Sequence, residues 1–187
     1  TAELRSLFGF RPFDFPKPSG LIKQLLLTAV RKDKEAIILD FFSGSASTAQ
    51  AVMQLNSEDG GNRKFILVQL PEETAEGSEV RENGYQNICE VGKDRIRKAG
   101  EQISSTIQGK LIDTGFRVFR IDESNMNEVY YAAGDYTQGL LTMLESNVKN
   151  DRDDLDLLFG CLLEWGLPLS MPYKSEEIDR CRVHTYN

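Results

Sequence analysis

Apolar positions along the first seventy residues switch between two spacings. Leu21, Ile22, Leu25, Leu26 and Ala29 recur at helical spacing behind Pro18 and Ser19, which can open a helix. Residues 37–42, IILDFF, form a run that is continuous rather than alternating, which predicts a buried strand. Residues 47–55 return to helical spacing, with Ala49, Val52 and Met53 inward. Gly60-Gly61 turns the chain, and KFILVQL (64–70) reads as a second buried strand that Pro71 ends. Strand, helix and strand at this spacing make a βαβ unit with parallel strands.

The rest of the pattern is less regular. Residues 1–18 read as loop, punctuated by Pro12, Pro16 and Pro18, and the polar stretch 71–84 reads as a surface loop or a lid. A long helix is expected over 85–103, burying Cys89, Gly92, Ile96, Ala99 and Ile103 and exposing Lys93, Arg95, Arg97 and Lys98. GFRVFRI (115–121) alternates enough to predict a third strand, with Phe116, Val118 and Ile121 inward. Residues 122–138 suggest surface helices, with Tyr130, Tyr131 and Tyr136 in packing or rim positions. A late helix over 152–165 carries Leu155, Leu158, Phe159, Leu162 and Leu163 on one stripe, capped by Asn150 or Asp151 and ended by Gly166. The chain thus divides into an α/β part (1–121) and a mostly helical C-terminal extension (122–187).

Composition narrows the function. The chain has 187 residues, 40% of them hydrophobic, enough for a core. Its formal net charge of −7 argues against a nucleic-acid surface over most of its area. Three cysteines, odd in number and widely spaced, match no zinc or disulfide pattern and fit a reducing cytoplasm. No run reaches membrane-spanning length, and the single histidine, His184, reads as a surface residue. Thr1 in place of Met and the strand-like end CRVHTYN give both termini the look of cuts in a longer protein.

The chemistry centres on Ser43-Gly44-Ser45-Ala46-Ser47, which follows Asp40 and precedes a helix. Small residues let a ligand approach the backbone, and the helix start offers unpaired N–H groups to polar or anionic atoms. No lysine precedes Ser47 or Thr48, so an ATPase-type phosphate loop is excluded. One glycine falls short of a dinucleotide fingerprint, and Asp40 would repel a pyrophosphate. Asp40 suits an ammonium group, which points to S-adenosylmethionine. Gln69, at the second strand's tip, is either a ribose partner or a polar residue at the core's edge.

FDFPKPSGLIKQLL (13–26), ILDFFSGSASTAQAV (38–52) and NRKFILVQLPEE (62–73), in this order, resemble the permuted DNA amino-methyltransferases. GYQNICEVGKDRIRKAG (84–100) and GFRVFRIDESNMNEV (115–129) resemble, more narrowly, the modification subunit of type III restriction–modification systems. The resemblance implies a Rossmann-like S-adenosylmethionine-dependent fold, permuted and incomplete here, that methylates adenine N6 in DNA. It implies that Phe15, Pro16, Lys17 and Pro18 touch the methionine end of the cofactor. Asp40, Phe42, Gly44, Ser45, Ser47 and Thr48 match the main cofactor loop, and Gln69 stands at the ribose position. Implied partners are duplex DNA, a second modification subunit and a restriction subunit. Ala46 departs from the family, which commonly has a second glycine there. The family's catalytic Asp-Pro-Pro-Tyr occurs nowhere in the 187 residues, so little or no activity is expected of this chain alone. The competing reading is a catalytically silent binding or regulatory module of the same fold. A nucleotide-dependent oxidoreductase is disfavoured by the single-glycine loop and Asp40.

Overall fold

The chain opens with helix α1 (Ala2–Phe8), not with the loop that its prolines suggested. The prolines act only from Pro12 onward; ahead of them AELRSLF contains good helix formers, and Gly9 (φ 81°) ends the helix. Seven residues are too few to show a period, and what fixes α1 is Leu4, which is fully buried. Helix α2 (Ser19–Val30) is present as expected, but its inner face is rotated. Leu26 is buried and Ile22, Leu27 and Val30 pack beside it, whereas Leu21 and Leu25 are more than half exposed and Ala29 is exposed.

The structure is a computed structural model that describes residues 2–106, 112–127 and 147–186. In it the βαβ unit forms. Strands β1 (Ile37–Asp40) and β2 (Lys64–Leu67) pair in parallel, from Ile37↔Lys64 to Asp40↔Leu67, around the crossover helix α3 (Ser47–Asp59). Gly60 (φ 68°) ends α3 by donating to the Asn56 carbonyl at 2.9 Å. A short helix α4 (Glu79–Glu82) occupies the polar stretch, and α5 (Ile88–Thr106) is the long helix. Ala46, Ala49, Met53, Ile96 and Ala99 form one core cluster with Phe65 and Leu67, and Leu26, Ala51, Val52 and Leu55 form another under Ile38 and Phe65.

Two strand expectations change. The strands are not buried on both faces: Ile38, Asp40, Phe65 and Leu67 are partly covered, while Ile37, Leu39 and Ile66 are at least half exposed. Parallel sheets bury both faces when helices lie on both, and α2, α3 and α5 pack on one. The stretch 115–121 forms no strand, because no other segment among the described residues pairs with it; Phe116 instead packs on the first core cluster under the Arg97 guanidinium, 5.4 Å from its ring centre.

The chain divides into two compact units, Thr1–Phe116 and Arg117–Asn187. Among its described residues the second contains helix α6 (Asp154–Glu164) and an antiparallel hairpin, β3 (Tyr173–Ile178) and β4 (Cys181–Tyr186). Asp179 (φ 49°) and Arg180 (φ 66°) make the two-residue turn, which lacks the glycine that would have advertised it. The cap of α6 is Asp153, in a reciprocal box with Asp156, rather than Asn150 or Asp151. Gly166 (φ 68°) ends the helix, and Leu167 N–H returns to the Leu162 carbonyl at 2.9 Å. His184 bonds through Nδ1 to the Ser175 hydroxyl at 2.7 Å across the hairpin; Asp154 stands 3.8 Å from Nε2, outside hydrogen-bonding reach. Tyr130, Tyr131 and Tyr136 lie outside the described residues.

Arg117 is the hub of this unit. Its guanidinium lies 5.4, 5.5 and 5.9 Å from the rings of Phe159, Tyr173 and Tyr186 and donates to the Leu169 and Met171 carbonyls. Arg117→Ala is expected to lower this unit's stability by about 2 kcal/mol. Fluorescence of Trp165, the single tryptophan, reads that loss in urea.

Candidate functional site

Two segments face each other across a cleft of about 170 Å³ in the first unit: residues 13–17, which lead into α2, and residues 40–48, from the tip of β1 into α3. Of the residues singled out from sequence, Phe15, Pro16, Lys17, Asp40, Phe42, Gly44, Ser45, Ser47 and Thr48 line it. Pro18, at the start of α2, and Gln69 stand outside the lining. The Phe15 and Phe42 rings are almost wholly exposed, at 85% and 86%, whereas the loop floor at Ser45 and Ser47 is buried.

The loop is held by a dense set of hydrogen bonds. Asp40 accepts from the Thr48 hydroxyl at 2.6 Å and from Phe42 N–H at 3.2 Å, so one carboxylate ties the strand tip to the helix start. Ser43 N–H donates to the Val68 carbonyl and Val68 N–H to the Asp40 carbonyl, which carries the strand pairing into the loop. Gln69 Oε1 accepts from Gly44 N–H at 2.7 Å, and its Nε2 donates to the Leu70 carbonyl at 3.2 Å. In the structure Gln69 therefore holds the loop. The Cys89 thiol of α5 reaches the Gln69 and Leu70 carbonyls at 3.5 and 3.4 Å, and burial pushes the thiol up, favouring the protonated donor.

Two loop residues have positive φ. Gly44 (φ 50°) has a left-handed backbone and little room for a side chain, since a Cβ would lie 3.3 Å from the Phe13 ring, which would have to shift. Ala46 (φ 59°, ψ 36°) is left-handed at the N-cap of α3, where no side-chain cap serves the first N–H groups. The position does require what a glycine supplies, and alanine holds it at a cost of roughly 1–2 kcal/mol.

Sequence reasoning placed Arg95 on the solvated face of its helix. It is instead completely buried, and its guanidinium donates to Gln50 Oε1 (2.8 Å), Ser45 Oγ (2.8 Å), the Ser45 carbonyl (3.3 Å), Ser47 Oγ (2.7 Å) and Glu3 Oε2 (3.4 Å). Burial pulls its pKa down to about 10, while Glu3 raises it, so the group stays charged at neutral pH. Spacing carried the signal. Arg95 follows Gly92 by three residues and precedes Ala99 by four, inside the apolar stripe, but its charge argued for exposure. Glu3 gave no such signal; it accepts from Ser19 N–H (3.1 Å), the Ser19 hydroxyl and Gln50 Nε2 (3.0 Å).

The arrangement offers a carboxylate at a strand tip, N–H groups at a helix start and two exposed aromatic rims. That donor set fits a small ligand with both a cationic and an anionic end. Ordinary ligand pockets measure about 300–1,000 Å³, so this cleft takes one end of such a molecule. No group of His, Cys, Asp and Glu suited to a metal occurs among the described residues, and no described helix is long and apolar enough to cross a membrane.

Residues 3–80 match the family described as DNA methylase. The Mod subunit of the type III restriction-modification enzyme StyLTI from Salmonella typhimurium is 39% identical over 118 residues, 63% of this chain and 18% of that protein. The EcoPI Mod subunit of Escherichia phage P1 is 38% identical over 118 residues, with the same coverage of 63% and 18%. The type II methyltransferase M.KpnI from Klebsiella pneumoniae is 35% identical over 96 residues, 51% of this chain and 22% of that protein. Residues 3–80 are thus similar to DNA methylases and the chain is similar to part of the type III Mod subunits, of whose length it spans under a fifth.

Proposed function

We propose that this chain is the cofactor-binding portion of a DNA adenine-N6 methyltransferase, the modification subunit of a type III restriction–modification system. The observation that carries the reading is the cleft between residues 13–17 and 40–48, which gathers most of the residues singled out for S-adenosylmethionine. The parallel β1–β2 pair supports the Rossmann-like fold, and the order of the three motifs supports its permuted form. When bound, the cofactor supplies an activated methyl group. Asp40 would hold its ammonium and the α3 N-terminus its carboxylate, Phe15, Pro16, Lys17 and Pro18 would wall its methionine end, and Gln69, which holds the loop through Gly44, would border its ribose. The residues that hold the flipped adenine belong to the full-length protein, because Asp-Pro-Pro-Tyr does not occur in these 187 residues. Duplex DNA, a second modification subunit and a restriction subunit are its partners there, in the cytoplasm. We extend the cofactor-binding part over 1–121, with 122–187 as the extension.

The test is calorimetric titration of the chain with S-adenosylhomocysteine, the demethylated cofactor. Asp40→Ala is expected to weaken binding by about tenfold or more, since it deletes a charged partner and the Thr48 link. Equal affinity in a folded Asp40→Ala variant refutes the assignment of this cleft.

A further inference from the structure

We infer that Arg95 is the positioning residue of the cofactor site: its buried guanidinium sets the shape of the loop from Ser45 to Ser47 and joins that loop to the opposite wall of the cleft. One nitrogen, Nη1, grips Ser45 and Ser47 together, the residues on either side of left-handed Ala46. A strained backbone persists only where its surroundings over-determine it, and this clamp is what does so here. The Ser47 hydroxyl that accepts from Arg95 donates in turn to the Lys17 carbonyl at 2.7 Å. A single charge thus fixes both sides of the cleft without touching its contents, because the Arg95 side chain has no exposed surface.

The helix that presents Arg95 is shaped for this contact. Gly92 sits one turn earlier, and a Cβ there would lie 3.3 Å from the Gly44 carbonyl oxygen and 3.6 Å from Ala46 Cβ. The close approach that Gly92 permits lets the fork reach the loop from below, and Gln50 and Glu3 take up its remaining donors. Lysine keeps the charge but has a single nitrogen, which cannot serve the Ser45–Ser47 pair, Gln50 and Glu3 at once.

The affinity part of this inference rests on the proposed cofactor site; the loop-shape part does not. The experiment compares the chain with Arg95→Lys, Arg95→Met and the double variant Ser45→Ala/Ser47→Ala, each by backbone chemical shifts and by calorimetry with S-adenosylhomocysteine. All three are expected to lose the left-handed carbon shifts of Ala46 while β1 and the body of α3 keep theirs. All three are expected to bind S-adenosylhomocysteine more weakly, by about tenfold or more. Unchanged Ala46 shifts in the folded variants overturn the inference, and so does parent-like affinity. If the parent chain binds no S-adenosylhomocysteine, the functional reading fails and the shifts alone decide this one. If Arg95→Met does not fold, the lysine and double-serine variants decide it.

Discussion

Arg63→Ala is expected to cost the first unit about 2–3 kcal/mol, because it deletes a buried guanidinium that bonds the partly exposed Asp59 and two backbone carbonyls. The Arg63 side chain has no exposed surface. Its guanidinium forks onto Asp59 at 3.1 and 3.0 Å and donates to the Val30 and Arg31 carbonyls, both at 3.3 Å. Its backbone exchanges two bonds with the Asn56 amide, at 2.9 and 3.0 Å. One residue therefore closes α2, α3 and the start of β2 together. The same pair sets an acid limit. Arg63 holds the Asp59 carboxyl below its ordinary 3.8, so its contribution is complete above that value and is lost as pH falls through the lowered one. Urea unfolding followed by far-ultraviolet circular dichroism is expected to show a lower midpoint for Arg63→Ala at neutral pH. The gap from the parent should narrow below about pH 4. A neutral-pH midpoint equal to the parent's refutes the role.

Gly44→Val should abolish measurable S-adenosylhomocysteine binding and destabilise the first unit by about 2 kcal/mol or more. Two independent costs add at this position. A β-branched residue at φ 50° is a backbone outlier, and its Cβ would start 3.3 Å from the Phe13 ring. The loop's escape is to swing away from Phe13, which breaks the Gly44–Gln69 bond and moves one wall of the cleft. Ala46→Gly is the contrasting control. Relief of roughly 1–2 kcal/mol of left-handed strain is offset by a lost buried methyl of about 0.8 kcal/mol and a more flexible unfolded chain. Its stability should stay near the parent's, with binding retained. Retained binding in Gly44→Val, or lost binding in Ala46→Gly, contradicts this account of the loop.

What could be read from the sequence was local. The change of spacing at residues 36–47 announced strand, loop and helix, and the small residues after Asp40 announced the site, because each signal is complete within a dozen residues. The supports were not legible. Glu3 and Arg95 are 92 residues apart, and nothing near either one names the other. Arg63 stands ahead of a strand, and no residue near it in the sequence marks it as buried. The strand-like end CRVHTYN announced β4, but β3 and the turn were hidden for a different reason: charged residues fill the exposed faces, and Asp179-Arg180 makes a glycine-type turn without glycine. The half-covered sheet was misread because sequence shows which residues are apolar, not which helices arrive to cover them.

The Glu3–Arg95 contact also dictates an order of assembly. β1, α3 and β2 can pair within some thirty residues of chain, but the loop between them is clamped only once α5 brings Arg95 to it and α1 brings Glu3 to Arg95. Helix α1 has seven residues and one buried anchor, Leu4, and so is the kind of segment that opens ahead of the core. The cleft is then among the last parts of the unit to form and the first to loosen, and its readiness reports whether the chain has closed on itself.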